Sequence, residues 1–162
     1  MSNDHLKSSH QQSVERFHEL AGDPAPAVPT EPSREVRILR AKLILEEALE
    51  TIRDGLGVFV FVGDEVSMHS VTDGELSFHC SGRFNITETI DGCCDLRYVT
   101  TGTLSACGVP DQPFQDAVDQ NNLDKFGPGH SLREDGKLIK PPGHQPPDIA
   151  GILEAIQQKG AT

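Results

Sequence analysis

The stretch LILEEALE, residues 43–50, combines closely spaced aliphatic side chains with three glutamates. Its apolar residues recur at the three- and four-residue spacing of an amphipathic helix. Glu46, Glu47 and Glu50 interrupt that pattern on one flank, because residues three and four positions apart lie on the same side of a helix. Two interpretations are open. A solvated acidic face is the more common meaning of such a pattern seen alone, and a metal site is the alternative.

Start and stop signals predict the helices on either side of this stretch. Ser33 is a suitable N-cap for the helix that carries the glutamates, and Gly55 is a natural end for it. A second long helix is predicted from Asn85, whose spacing to Glu88 resembles a capping box, to Gly108. Shorter helices are predicted over residues 13–21, 112–121 and 148–158.

Between the two long helices, residues 57–84 change their hydrophobic period. The segments VFVFV and ELSFHC are typical of strands. We therefore predict an all-α fold, a helical bundle with a short β-hairpin-like insertion between its two main helices. The expected organisation is a disordered N-terminus over residues 1–12 and a single domain over residues 13–162.

Length, charge and cysteine content exclude several classes of function. A chain of 162 residues has room for one domain with a core, and a net charge of -11 opposes binding to a nucleic-acid backbone. The first residues lack the apolar centre of a signal peptide, and no apolar run approaches the ~20 residues of a membrane span. The four cysteines show no metal-site spacing and are expected to be reduced and mostly buried. We expect a cytoplasmic protein with neither a nucleic-acid nor a membrane partner.

A second acid cluster lies on the second long helix. Glu88, Asp91 and Asp95 fall at i, i+3 and i+7 and share one face. Carboxylates on two packed helices repel each other, and the cost rises on burial. Mg²⁺ removes that cost, since it prefers oxygen ligands and bridges carboxylates to substrate phosphates. The two clusters together favour the metal interpretation, although Glu88 could instead serve as the capping-box partner of Asn85.

The ordered set of motifs resembles a known superfamily. Glu46-Glu47-x-x-Glu50 followed by Glu88-x-x-Asp91 is similar to the EExxE…ExxD signature of the all-α nucleoside triphosphate pyrophosphohydrolases, the MazG and phosphoribosyl-ATP pyrophosphatase-like superfamily. Further similar segments are VERFHELAG, DGCCDLRYVTTGTLSACGVP, NNLDKF and DGKLIKPPGHQPPDI, so the likeness covers most of residues 14–153. The gap between the two acid motifs is longer than in the minimal core of the superfamily, which bears on the shape of the substrate pocket.

The resemblance implies a specific site. Glu47, Glu50, Glu88 and Asp91 would hold Mg²⁺, with Mn²⁺ as the alternative ion, and Glu46 would orient or deprotonate the attacking water. Hydrolysis at the α-phosphate of a (deoxy)nucleoside triphosphate would then release a nucleoside monophosphate and pyrophosphate. The residues expected to support the site or to contact the substrate are Asp95, Asn121, Asn122, Lys125, Lys137 and Lys140.

Two alternative functions stay open. Within the superfamily, the substrate could be the bulkier phosphoribosyl-ATP. From another class, the chain could be a non-catalytic nucleotide-binding or interaction module with solvated acids. Such a module predicts no stabilisation by a metal ion, whereas a ligand bound only by the native state raises stability. Two main helices are too few to enclose both a carboxylate site and a core, so we expect a homodimer or a dimer of dimers.

Overall fold

The computed structural model describes residues 4–62, 76–80, 82–126, 131–132 and 138–160. Its α-helices are α1 Ser9–Leu20, α2 Arg34–Glu50, α3 Ile86–Ala106, α4 Gln112–Asp124 and α5 Ile149–Gly160. Its strands form two antiparallel pairs, β1 Val58–Val62 with β2 Leu76–Cys80, and β3 Ser131–Leu132 with β4 Leu138–Ile139. The prediction of a mainly helical protein with a short hairpin between its two main helices is confirmed.

The chain divides into two compact units. The first combines Met1–Glu31 with Leu104–Thr162, and the second is the continuous segment Pro32–Thr103. The predicted single domain over residues 13–162 stays a prediction. Within the described ranges, no helix combines the length and the apolar character needed to cross a membrane.

In the first unit, α1 begins earlier than its sequence predicts. The Ser8 hydroxyl caps the helix by accepting a hydrogen bond from the Gln11 amide, and the Ser8 amide donates to Asp111 Oδ1 at 2.8 Å. The predicted start at Ser13 was therefore wrong, because Ser13 lies inside α1. The segment over residues 1–12, expected to be disordered, includes the first turn of α1. The signal was missed because Asp111, which holds Ser8 in place, lies 103 positions away.

A buried glutamine joins α1 to the turn between α3 and α4. Gln11 is fully buried, and its Nε2 donates to Ser105 Oγ at 3.2 Å and to the Val109 carbonyl at 2.8 Å. Its Oε1 accepts from the Asp111 amide, also at 2.8 Å. Every polar group of this side chain is thus used, which is what burial of an amide requires. Val14, three residues further along α1, is also buried and belongs to the apolar core of the unit.

In the second unit, α2 begins at its predicted cap. Ser33 accepts a hydrogen bond from the Val36 amide. After Glu50 the helix continues as a π-helical segment, Thr51–Gly55, so the chain leaves helical structure at the predicted glycine. At its start, the Thr51 hydroxyl donates to the Glu47 carbonyl at 2.7 Å. A π-helical turn widens the backbone locally, and such turns are frequent at functional sites.

This π-helical segment lies directly against α3. A Cβ at Gly92 would be 2.4 Å from Thr51 Oγ1, and a Cβ at Gly55 would be 2.7 Å from the Thr89 Cα. The Asn85 amide also donates to the Gly55 carbonyl at 2.8 Å. Residues later in the first segment thus meet residues earlier in α3, which makes the two elements antiparallel. Glycine is required at both positions because there is no room for a side chain.

The cysteines require a correction. All four are free, as expected, but Cys80, Cys93 and Cys94 are exposed and Cys107 is only half-buried. The prediction that they are mostly buried was wrong. Cys93 and Cys94 follow the tightly packed Gly92 along α3 and point to sides of the helix that no other part of the described chain covers. Composition alone does not reveal which side of a helix is covered.

Candidate active site

The contact between Thr51 and Gly92 sets which acids of the two helices meet. Glu47 lies one turn before Thr51, and Asp95 lies about one turn after Gly92. Because the two elements are antiparallel, these turns come level with each other. Glu47 is half-buried there, whereas Asp95 is exposed.

The electrostatics of Glu47 show that the two acid clusters face each other. Partial burial raises the pKa of the Glu47 carboxyl, and the charges of four neighbouring carboxylates raise it further. In decreasing order of effect these neighbours are Asp95, Glu50, Glu46 and Asp91. Both causes disfavour the charged form of Glu47. The structure therefore brings together five of the six acids singled out from the sequence, with Glu47 at their centre.

The donor chemistry of this cluster suits a hard divalent cation. All its potential ligands are carboxylate oxygens, which Mg²⁺ prefers, and a cation would neutralise the repulsion that raises the Glu47 pKa. Among the residues that the structure describes, no three His, Cys, Asp or Glu side chains are close enough together to form a complete metal site. Mg²⁺ commonly completes its coordination with water and substrate phosphates rather than with protein ligands alone.

Glu88, the sixth acid, does not complete the capping box that its spacing from Asn85 suggests. Asn85 Oδ1 caps α3 by accepting from the Thr87 amide at 3.1 Å and the Glu88 amide at 3.4 Å. The reciprocal half of a capping box needs the Asn85 amide, which instead donates to the Gly55 carbonyl. The exposed Glu88 carboxylate therefore lies in the first turn of α3, one turn before Asp91, without the reciprocal capping hydrogen bond. Its charge is not among those that raise the Glu47 pKa.

Arg53 is a residue of this region that the sequence analysis missed. Its Nη2 lies 4.0 Å from Glu50 Oε1, and its Nε donates to Asp54 Oδ1 at 2.6 Å. The hydrogen bonds from Arg53 lower the pKa of the Asp54 carboxyl. The only signal in the sequence was the three-residue spacing from Glu50, which places an arginine beside the acid cluster.

A small cleft adjoins the acid cluster on this side. Its volume is about 190 Å³. It is lined by Leu49, Ile52, Arg53, Val58, Phe59 and Val60. The cleft forms where the π-helical segment turns into β1. It was not foreseen because the sequence predicts a helix followed by a strand, but neither the π-helical turn nor the angle at which the chain leaves it.

The remaining predicted substrate residues belong to the first unit. Asn121 Nδ2 donates to the Gln145 carbonyl at 2.7 Å, so this side chain supports the loop before α5. Lys125 donates to Asn122 Oδ1, and Lys140 is exposed. Their contact with a substrate stays a prediction. Lys137 lies outside the described residues.

Facing carboxylate clusters on two antiparallel helices of a mainly helical protein are features of the all-α nucleotide pyrophosphohydrolases. Residues 14–122 match the family model of phosphoribosyl-ATP pyrophosphohydrolase. The chain belongs to this family, which is part of the MazG-like all-α superfamily that its motifs resemble. It is therefore a hydrolase of the nucleotide pyrophosphatase type. No curated protein shows significant similarity to the chain.

Proposed function

We propose that the protein hydrolyses (deoxy)nucleoside triphosphates to nucleoside monophosphates and pyrophosphate in the presence of Mg²⁺, and so clears the nucleotide pool. The main support is the convergence of negative charge from α2 and α3 on Glu47, which raises its pKa. A solvated acidic face would not bring the carboxylates of two helices against each other. A cation held between them would remove the repulsion and attract a polyphosphate.

Each acid takes a separate role in this proposal. Glu47, Glu50, Glu88 and Asp91 would hold Mg²⁺, or Mn²⁺ in its place. Such an ion, when bound, neutralises charge on phosphate oxygens and lowers the pKa of water. Glu46, exposed beside Glu47, would orient the attacking water and accept its proton. Attack at the α-phosphorus would break the α–β anhydride bond and release pyrophosphate.

Asp95 would act through Glu47 rather than on the substrate. It exerts the largest effect of any neighbouring charge on the Glu47 pKa. Its negative charge would add to the attraction of the site for a cation. The expected result of Asp95→Asn is a higher Mg²⁺ concentration at half-maximal activity.

Phosphoribosyl-ATP is the second candidate substrate. The description of the matched family names it, and this observation favours it at least as strongly as the nucleoside triphosphates. The same bond between the α- and β-phosphates would be broken, so the roles of the acids do not change. Only the part of the pocket that surrounds the base and sugar would differ.

We also propose that the protein works as a homodimer or a dimer of dimers. The apolar side chains that are buried within the described residues are Val14, Pro110 and Ile156, all in the first unit. The second unit instead exposes large apolar side chains on both long helices. Apart from Leu49, which lines the cleft, they are Ile38, Leu39, Leu45, Ile86 and Ile90. Large exposed apolar patches mark protein interfaces, so these side chains support the proposal. The four free cysteines suit the reducing cytoplasm.

The experiment that tests the function is a pyrophosphate-release assay. Its substrates are the dNTPs, the NTPs and phosphoribosyl-ATP, each with MgCl₂ and with EDTA. We expect Mg²⁺-dependent release, lost in the Glu47→Ala/Glu50→Ala double variant and kept in Glu154→Ala, which removes an exposed acid from α5. Release from phosphoribosyl-ATP alone would assign the second substrate. No release from any substrate, with no thermal shift on adding MgCl₂, would favour a non-catalytic module.

A further inference from the structure

The cleft beside the acid cluster has the composition of a binding pocket for part of a small molecule. Five of its six lining residues are apolar, and the sixth is Arg53. Pockets for complete ligands typically measure roughly 300–1,000 Å³ and combine apolar walls with a few polar groups. At about 190 Å³, this cleft is smaller. It therefore suits one fragment of a ligand whose remainder lies elsewhere.

The place for that remainder is the neighbouring acid cluster. Leu49, in the wall of the cleft, directly precedes Glu50 in the chain. Arg53, in the same wall, lies 4.0 Å from the Glu50 carboxylate. A molecule with one end in the cleft would thus have its other end next to the carboxylates. A nucleotide with cation-bound phosphates has this arrangement of an apolar ring joined to a charged chain.

Two side chains of the cleft can recognise a flat ring. Phe59 is 41% exposed although it lines the cleft, so part of its ring is available to a ligand. The guanidinium of Arg53 is held by two hydrogen bonds to Asp54, which fix its plane. Aromatic rings and guanidinium groups both stack on nucleobases, and stacking tolerates different bases.

Phe59 also has a close match outside the cleft. Phe61, two positions along β1, is 55% exposed and does not line the cleft. Its ring packs edge-on against His79 with the ring centroids 5.3 Å apart. The two phenylalanines share a strand and a face. Only Phe59 borders the cleft. Comparing variants at the two positions therefore separates a role in binding from a role in the stability of the β1–β2 hairpin.

We propose that this cleft holds the nucleobase of the substrate, with Phe59 and the guanidinium of Arg53 as its stacking surfaces. The proposal rests on the proposed function for the position of the phosphates. It assigns base recognition to the junction of the π-helical segment and β1. This junction lies in the part of the chain between the two acid-bearing helices. Because stacking dominates, the site distinguishes a nucleotide from a bare polyphosphate more strongly than one base from another.

The test measures binding rather than turnover. Calorimetric titrations in MgCl₂ would use α,β-methylene dATP, which cannot be hydrolysed at the α–β bond, and inorganic tripolyphosphate, which has no base. For Phe59→Ala we expect the affinity for the dATP analogue to fall by about 5- to 100-fold, the range typical of a lost stacking partner. The affinity for tripolyphosphate should be unchanged. Phe61→Ala should bind both probes like the wild type.

Two further variants keep the test decisive if Phe59→Ala fails to fold. Phe59→Leu fills the same space without an aromatic face and should lose affinity for the dATP analogue, whereas Phe59→Tyr should retain it. Equal losses of affinity for the dATP analogue in Phe59→Ala and Phe61→Ala would overturn the proposal. An equal loss of affinity for both probes in the Phe59 variants would also overturn it, as would a wild type that does not bind the dATP analogue. A lower molecular mass of the Phe59 variants alone would assign the cleft to a second copy of the chain and would also overturn it.

The same proteins in the pyrophosphate-release assay separate this proposal from the proposed function. Base-dependent binding by the wild type, lost in Phe59→Leu, without any hydrolysis would support the cleft and reject the enzymatic function. Hydrolysis by the wild type with no change in binding for any Phe59 variant would support the enzyme and reject the cleft.

Discussion

At the scale of single residues, Glu47 is the acid on which the charges of both clusters act. A carboxyl whose pKa is raised in the folded state binds a proton more tightly there than in the unfolded chain. Its contribution to stability is therefore favourable at low pH and is lost as the pH rises through the raised pKa. At neutral pH and without a metal ion, the ionised Glu47 opposes folding. A cation held at this site, as proposed, would remove that opposition.

Replacing this charge should stabilise the metal-free protein. For Glu47→Gln in EDTA at pH 7, we expect the free energy of unfolding to rise by up to about 1 kcal/mol, since partly exposed charges interact weakly. Mg²⁺-dependent pyrophosphate release should be lost. Urea unfolding should show the gain shrinking as the pH falls toward the raised pKa, where the wild-type carboxyl becomes protonated. A Glu47→Gln protein that is less stable than the wild type at pH 7 would contradict this account, and Glu154→Gln serves as the control.

Gln11 is the other residue with a sharply defined role. Gln11→Ala should lower the free energy of unfolding by about 1–3 kcal/mol, because buried partners such as the Val109 carbonyl would lose their hydrogen bonds. Its neighbour Gln12 is exposed, and Gln12→Ala should change stability by less than about 0.5 kcal/mol. Urea denaturation of the two variants checks the difference. Similar losses in both would show that the network around Gln11 contributes little.

At the scale of elements, the structure shows which features the sequence could predict. The starts of α2 and α3 were predicted because their signals are local, with Ser33 and Asn85 capping residues two to three positions away. The start of α1 was not predicted, because its cap is stabilised by Asp111, which lies 103 positions away in the chain. Local spacing likewise predicted which acids share a helix face. The cleft depends on the angle between two elements, for which no local pattern exists.

The contact between Thr51 and Gly92 controls the distance between the acid clusters. In Gly92→Ala, the new methyl group would lie 2.4 Å from Thr51 Oγ1, so the two elements must separate. We expect a loss of about 1–3 kcal/mol in the free energy of unfolding, typical of an overpacked contact. The Mg²⁺ concentration at half-maximal activity should also rise.

Thermal unfolding and a Mg²⁺ titration of pyrophosphate release would measure both effects. Cys93→Ala is the matched control, because Cys93 is the next residue of α3 and is exposed. Adding Thr51→Ala to Gly92→Ala should restore part of the lost stability by removing the clashing hydroxyl. A Gly92→Ala protein with wild-type stability and Mg²⁺ dependence would show that the helices tolerate a wider spacing.

At the scale of the whole molecule, the two units differ in how they bury apolar surface. The first unit buries the apolar side chains of Val14, Pro110 and Ile156, whereas the second buries none among its described residues. Burial of apolar area is the main favourable contribution to folding. In the proposed dimer, the second unit, which contains the acid clusters, would therefore gain most from association with another copy of the chain.

A charge on the exposed apolar surface of α3 should weaken that association. Ile90 is 58% exposed, and Ile90→Glu should lower the molecular mass measured by light scattering to that of the monomer at micromolar concentration. Leu20→Glu, at a 73% exposed position of the first unit, should leave the mass unchanged. A wild-type mass equal to the monomer would reject the dimer directly.

The order in which the chain is synthesised gives the division into units a further meaning. The second unit is one continuous segment, whereas the first joins the two ends of the chain. During translation, α1 emerges before the second unit but must wait for residues 105–111, which complete the hydrogen bonds of Gln11. Since domains generally fold as units during synthesis, the acid-bearing segment can fold while α1 is still unpartnered on the ribosome. The helix α1, made before the second unit, is then among the last elements to reach its native contacts.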